Sequence, residues 1–442
     1  MNPPLQINIT QVQQEIDALA LISENPPPVV TRVLFSAADL KARAQVKSLF
    51  RQAGLTVRDD GAGNIFARWP GKNGALPPVA TGSHIDAIPN AGRYDGVVGV
   101  LGALEAIRAL QRAGFEPARA LELIVFAAEE PTRFGIGCLG SRLLAGALSL
   151  EQAAALRDGE GKSLNELRGA AGLGGHDLHQ VRLAPQCYSA FVELHIEQGP
   201  LLERENLPIG IVESIAAPST LRLQLTGVGG HAGGMLMPDR HDALLAGAEI
   251  ALAVEQATLT SGSPDTVGTT GVFRIEPGAV NSVPCRAWLE TDLRDTCLET
   301  RDAALKRIES SVAETCRRRG VEFKLERLNA DPPAICDPRL VETIAGVCGE
   351  LGLPFKRMVS RAYHDTLFMA QVCPATMIFI PCRGGFSHRP DEYSSPDQIQ
   401  RGVEVLALAL ARLAANPQGK SFMRSDAAAS GGSPFSGQSM CQ

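Results

Sequence analysis

The sequence predicts a mixed α/β fold, a mostly parallel sheet with helices on both faces, interrupted by a smaller α+β domain. Three observations predict it. In the first half of the chain, short apolar runs alternate with helical stretches, the order that builds parallel sheets from βαβ units. Near residue 214 the texture changes to apolar–polar alternation, as in half-exposed antiparallel strands. Near residue 332 the apolar strand texture returns. A chain of 442 residues is also too long for one ordinary core. The expected domains are therefore 1–213 with 332–415, and an insertion at 214–331. Residues 416–442 are rich in Ser, Gly and Ala and have the composition of a disordered tail.

Each element has a local reason. In "VTRVLFSAADLKARAQVKSLFRQAG" the apolar residues Leu40, Ala44, Val46, Leu49 and Phe50 recur at helical spacing, with Ser36 as N-cap and Gly54 as stop. "PPVATGSHID" reads as a short buried strand, "VVGVLGALEAIRALQRAG" as a helix, and "ALELIVFAAEE" as a second buried strand ending in two acids. "SAFVELHIEQG" is a further strand. In the insertion, "STLRLQLTGVG" and "AWLETDLRD" alternate, while "RHDALLAGAEIALAVEQA" and "TRDAALKRIESSVAETCRRRG" are amphipathic helices. "PATMIFIPC" marks the return to the first domain.

Composition excludes several function classes. A net charge of −6 argues against nucleic acid as a partner. No apolar run of 18 residues is present to span a membrane. "MNPPLQINIT" has neither a basic n-region nor an apolar h-region, so no leader is expected and the location is read as cytoplasmic. Ten cysteines without a CxxC pair fit mostly reduced thiols.

Four of the eight histidines lie beside other chemically useful residues: His84 in "GSHID", His195 in "ELHIEQGP", His231 in "GGHAGG" and His388 in "GFSHRP". Asp86, Asp95, Glu129 and Glu130 fall at or near strand ends, and open α/β sheets bind ligands outside the carboxyl ends of their strands. Imidazole and carboxylate together suit borderline divalent ions. Two ions about 3.5–4 Å apart need a shared ligand; a carboxylate can bridge and a neutral imidazole cannot. On this chemistry His84, Asp95 as the bridge, Glu130, His195 and His388 form a two-metal set. Glu129 is left over as the general base. Asp86, counted with the catalytic groups, steadies the other ring nitrogen of His84. Spacing by itself leaves the matter open. The ligands are dispersed, and an Asp in "RYDG" is also an ordinary turn residue.

Taken in order, "GSHIDAIPNAGRYDGVVGV", "AAEEPTRFG", "LHIEQGPLLE", "GGHAGGMLMPDRHDAL", "GAVNSVP", "DLRD", "YHDTLFMA" and "IPCRGGFSHRPDEYSS" resemble a group of amidohydrolases. The group includes N-carbamoyl-L-amino acid hydrolases, allantoate amidohydrolases and ureidoglycolate amidohydrolases, within the aminoacylase/carboxypeptidase-type di-metal peptidase superfamily. The resemblance runs from about residue 12 to residue 415. It implies the same five metal ligands, His84, Asp95, Glu130, His195 and His388, with Glu129 as base. It implies that the inserted domain is a lid that also makes a homodimer. His231, Asn281 and Arg294 of that lid would reach a substrate carboxylate or the reacting carbonyl, partly from the neighbouring subunit. Gln198 and His364 join the substrate contacts. The plainer reading of Arg294 is a salt bridge with Asp292 or Asp295. Two divalent ions are implied, Mn²⁺ first, with Zn²⁺, Co²⁺ and Ni²⁺ suited to the same donors.

One departure narrows the substrate. Carbamoylase and allantoate members carry "SGAGHD", whereas this chain has "SRAYHD", Ser360 to Asp365. Arg361 and Tyr363 should shrink and re-polarise the pocket; the plainer reading is that they pack without touching substrate. In this the chain is more similar to the ureidoglycolate enzymes, whose substrate is small and carries a carboxylate, a hydroxyl and a ureido group. The expected activity is cleavage of the ureido C–N bond of a small ureido acid, (S)-ureidoglycolate, to glyoxylate, ammonia and carbon dioxide. The alternatives are an N-carbamoyl-L-amino acid or allantoate, and after these a peptidase or deacylase reaction.

Overall fold

A computed structural model describes residues 5–415; the composition-based tail, 416–442, lies outside the described residues. The chain forms two compact units. One holds the described residues of Met1–Glu213, Ile335–Ser360 and His364–Ala427, and the other is built on Ser214–Ala334 and Arg361–Tyr363.

The strands that matter here are β1 Thr56–Asp59, β2 Ile65–Trp69, β3 Val79–His84, β4 Leu121–Phe126, β5 Ala190–Ile196, β6 Ile209–Ile215, β7 Ala217–Thr226, β8 Val267–Glu276, β9 Arg286–Asp295, β10 Glu322–Ala330 and β11 Ala375–Ile380. The helices are α1 Ala37–Gln52, α2 Val97–Arg112, α3 Ala243–Leu259, α4 Leu298–Arg319 and α5 Pro396–Ala415.

In the first unit the sheet runs β6–β11–β5–β3–β4–β2–β1. The central neighbours β11, β5, β3 and β4 are parallel; β2, β1 and β6 are antiparallel additions at the flanks. Every residue of β3, β4, β5 and β11 is buried, which is why these strands read as apolar runs rather than alternations. Helix α2 is buried along most of its length and lies so close to the sheet that a Cβ on Gly99 would sit 2.3 Å from the Leu194 carbonyl oxygen. Helix α1 begins at Ser36, whose hydroxyl accepts from the Asp39 N–H. Its inward face is Ala38, Ala42, Val46 and Phe50 together with Asp39 and Arg43, while Leu40 and Ala44, expected to face the core, are exposed. Asp39 turns inward because its carboxylate accepts the Phe35 N–H at 2.8 Å, and that rotates the helix away from the purely apolar stripe.

The second unit is a four-stranded antiparallel sheet, β8–β9–β7–β10. Strands β7 and β9 alternate buried and exposed residues over most of their length. Their inward residues Leu223, Leu225, Ala287 and Leu289 pack with Ala246 and Ile250 of α3 and Val312 of α4.

Candidate metal centre

The site of the first unit lies at the carboxyl ends of the parallel strands. His84 is the last residue of β3, and His195 is the penultimate residue of β5. Glu129 and Glu130 follow β4, and Asp95 and Gly96 stand immediately before α2. His388 and Glu392 come from the loop between β11 and α5.

Asp95 joins two groups of donors. Its Oδ1 lies 3.5 Å from His84 Nε2 and 3.2 Å from His195 Nε2. Its Oδ2 lies 3.3 Å from His388 Nε2, and that nitrogen lies 3.1 Å from Glu130 Oε1. The two triads, His84–Asp95–His195 and Asp95–Glu130–His388, each bring their donor atoms within 4.8 Å of one another. Glu129 Oε2 stands 3.8 Å from His84 Nε2.

The imidazoles are oriented by backbone. His84 Nδ1 is 3.1 Å from the Asp86 carbonyl oxygen, and His195 Nδ1 is 2.9 Å from that of Ile196. These contacts orient both rings so that Nε2 is turned toward Asp95. Asp86 was expected to steady His84 through its carboxylate, which instead lies 3.6 Å away. That carboxylate accepts the Glu129 and Glu130 N–H groups at 3.3 and 3.0 Å, so Asp86 positions the two acids while its carbonyl positions the ring.

The electrostatics call for a cation. Burial first, then the neighbouring Glu130 and Asp39, push the Asp86 carboxyl up to about 7. Burial likewise holds Glu129 well above the carboxylate range, with Glu130, Asp365 and Asp95 adding to the effect. Asp95 goes the other way: burial would raise it, but hydrogen bonding to His195, His388 and His84 holds it well below its ordinary value. A cluster of crowded buried carboxylates and imidazoles is the donor set that divalent ions of the Mn²⁺–Zn²⁺ class accept.

The remaining expected residues divide between the units. The Gln198 amide donates to Asp95 Oδ2 at 2.7 Å, so it touches the carboxylate that joins the two donor groups. The His364 ring is buried edge-on against His195, centroids 4.5 Å apart, and also meets Phe379; the expected substrate contact is thus a neighbour of the His195 ring. In the second unit His231 pairs with Ser282 across a two-residue ladder, and the Asn281 carbonyl accepts the Ala232 N–H. Both His231 and Asn281 are exposed. Arg294 bonds Asp292 at 2.7 and 3.2 Å, the salt bridge that a surface reading foresees. Arg361 pairs with Asp265, and the Tyr363 hydroxyl lies 3.4 Å from Asp331.

Three residues went unassigned from sequence. Glu392 Oε1 accepts the N–H groups of Tyr94 and Asp95 at 2.7 and 3.0 Å. The Ser387 hydroxyl lies 2.7 Å from Asp95 Oδ2 and 2.9 Å from Glu392 Oε2. The Cys138 thiol lies 3.6 Å from Glu129 Oε1. Glu392 and Ser387 were in view inside "FSHRPDEY", but a loop acid four residues from a histidine looks like solvated surface. Backbone strain marks the same places: Ala128, Cys138, Gln198 and His388 are non-glycine residues with φ of 51°, 54°, 54° and 60°, a conformation that surrounding structure must impose.

Comparison with known proteins places this architecture. The sequence pattern of peptidase family M20/M25/M40 matches residues 80–412. A ureidoglycolate hydrolase of Oryza sativa subsp. japonica is 51% identical over 418 residues, covering 93% of this chain and 86% of that relative. The crystal structure of AtUAH in complex with glyoxylate superposes with a TM-score of 0.87 at 51% identity, covering 93% of this chain and 98% of that one. An N-carbamoyl-L-amino acid amidohydrolase of Geobacillus stearothermophilus is 37% identical, covering 89% of this chain and 95% of the relative.

Proposed function

The chain belongs to peptidase family M20/M25/M40, and we propose that within it this protein is a metal-dependent amidohydrolase of (S)-ureidoglycolate. The observation that carries the substrate is the 51% identity, over 93% of the chain, to a ureidoglycolate hydrolase, against 37% to a carbamoylase. The "SRAYHD" segment points the same way.

His84, His195 and Asp95 Oδ1 would hold one ion, and Glu130, His388 and Asp95 Oδ2 the other; we take Mn²⁺ as the native metal. When bound, the ions polarise the ureido carbonyl and make water nucleophilic at neutral pH. Glu129 Oε2 takes the proton of the attacking water and returns it to the leaving nitrogen. Asp86 holds the backbone of Glu129 and Glu130 while this happens. Gln198, Ser387 and Glu392 fix the orientation of Asp95. To His231, Asn281 and Arg294 we assign the substrate carboxylate and the developing oxyanion, and to Arg361, Tyr363 and His364 the shape of the pocket. Loss of the carbamoyl group yields carbon dioxide and one ammonia. The remaining hydroxyglycine decays to glyoxylate and a second ammonia. We place the enzyme in the cytoplasm as a homodimer joined through the inserted domain; among the described residues no helix is long and apolar enough to cross a membrane.

The test is ammonia release by the Mn²⁺-loaded protein from (S)-ureidoglycolate, allantoate and an N-carbamoyl-L-amino acid in parallel. Two ammonia per (S)-ureidoglycolate, with the highest kcat/KM of the three, is the expected result. Preference for either other compound overturns the substrate assignment and leaves the metal centre standing.

A further inference from the structure

Behind the acid pair, the chain after β4 leaves on a loop and returns to its own root. The Cys138, Leu139 and Gly140 N–H groups donate to the carbonyls of Glu129, Ala128 and Ala127 at 2.7, 2.9 and 2.8 Å. This brings the Cys138 side chain, fully buried, against the Glu129 carboxylate. The two oxygens of that carboxylate have different surroundings. Oε2 faces His84 Nε2 at 3.8 Å, and Oε1 lies 3.6 Å from Cys138 Sγ, inside the range for a thiol donor. Both Ala128 and Cys138 are left-handed, with φ of 51° and 54°. Two such residues, at the root of the acid pair and at the returning end of the loop, cost energy that the fold maintains.

We propose that Cys138 is a positioning residue for the base: its thiol donates to Glu129 Oε1 and fixes the side chain so that Oε2 faces the ligand cluster. This rests on the assignment of Glu129 as general base. A thiol suits the task because it is a weak donor. It restrains the carboxylate without competing strongly for the lone pairs that must accept a proton. Burial, and then the charge of Glu129, raise the thiol's own pKa well above its ordinary value, so the donor proton stays in place. A base turned out of line loses the short approach to water that proton transfer needs, and a misplacement of about 1 Å can cost about 100-fold.

The experiment compares Cys138→Ser, Cys138→Ala and Cys138→Gly with the parent in ammonia release from (S)-ureidoglycolate, with Mn²⁺ affinity measured by calorimetry. Glycine is included because it accepts the left-handed backbone without strain. The expected result is a kcat loss of about 10-fold or more in the Ala and Gly variants, with KM and Mn²⁺ affinity unchanged. The Ser variant, which keeps a donor, should stay within about 3-fold of the parent. Parent-like kcat in both Ala and Gly overturns the proposal. So does a Ser variant as slow as Ala, or a loss of kcat that tracks a loss of Mn²⁺ affinity, since either means packing rather than positioning. A Glu129→Gln background separates the two claims. If Glu129→Gln alone keeps full activity, the base assignment fails; if it is slow and Cys138→Ala slows it about 10-fold further, Cys138 acts elsewhere and the positioning claim fails.

Discussion

Gly96→Ala tests how tightly the ligand geometry is built. Gly96 has φ +64°, and a Cβ there would lie 2.5 Å from His84 Nε2 and Cδ2 and 2.6 Å from Cε1. Ordinary contact begins near 3.4 Å, so the ring must retreat by about 0.9 Å, whereas coordination bonds tolerate deviations of about 0.2 Å. The ring has little freedom, being almost fully buried and held by its Nδ1 contact of 3.1 Å to the Asp86 carbonyl. A side chain at φ 64°, ψ −41°, the centre of a tight turn closed by the Val97 N–H on the Asp95 carbonyl, costs about 1–3 kcal/mol of backbone strain and the overpacking about 1–3 kcal/mol. The metal-free variant should therefore be about 2–6 kcal/mol less stable than the parent in denaturant unfolding. Its Mn²⁺ affinity should fall by about 100-fold or more, since even support of a ligand is worth about 10–100-fold. Gly114→Ala is the control. Its φ is +69° but nothing lies within 4 Å of the added carbon, so it should show the backbone cost with no change in metal affinity. Calorimetric titration of the three metal-free proteins decides the matter. Parent-like Mn²⁺ affinity in folded Gly96→Ala would show that His84 is not held where the structure places it, or is not a ligand.

Other expectations follow from the same geometry. Asp95→Asn should reduce the bound metal from two ions to one or none, measured as metal content after dialysis; two retained ions would refute the bridging role. Glu129→Gln should keep both ions and lose about 10²–10⁴ in kcat, and an active variant would move the base elsewhere. His388, raised to about 11 by its hydrogen bonds to Asp95 and Glu130, stabilises the metal-free protein fully below its unfolded value of about 6.5, and that stabilisation fades as pH rises through about 11. Its side chain is 47% exposed, so the effect is screened and small. The thermal midpoint of metal-free protein should fall between pH 7 and 9, less so in His388→Gln, while Mn²⁺ affinity rises over the same interval because the ion displaces a proton. The opposite slopes would mean that His388 is not in the acid cluster. Replacing Arg361 and Tyr363 together by Gly should shift kcat/KM toward bulkier ureido acids by about 10-fold or more; unchanged selectivity would limit these residues to their contacts with Asp265 and Asp331.

Much of the fold was legible because it follows from two periodicities. The buried parallel strands β3, β4, β5 and β11 are apolar on both faces and so read as runs, while β7 and β9 have one wet face and alternate. The orientation of α1 was not legible. A helix whose inward stripe includes Asp39 and Arg43 looks, from hydrophobicity alone, as though it should face the other way, since only tertiary contacts make those charges interior. The excursion of Arg361–Tyr363 into the second unit was also hidden, because three residues carry no periodicity.

At the candidate metal centre, residue chemistry and strand ends nominated donors that the structure brings within reach of one another, although spacing by itself left the metal reading open and the family resemblance was needed to favour it. What sequence could not reveal is which atom of a chosen residue does the work. Asp86 was selected for its carboxylate, and its carbonyl is the group nearest the His84 ring at Nδ1. Gln198 was selected as a substrate contact, and its amide lies on Asp95. The causes differ: Asp86 sits just beyond a strand end, where a backbone carbonyl becomes an acceptor as useful as a side chain, whereas the fold turns the side-chain amide of Gln198, beyond the end of β5, onto Asp95. Cys138 and Glu392 escaped notice for the complementary reason: each acts on a residue distant in sequence, Glu129 nine positions away and Asp95 297 positions away. Contacts of that kind are created by the fold, so a reading of local motifs nominates candidate metal donors more readily than the atoms that aim them.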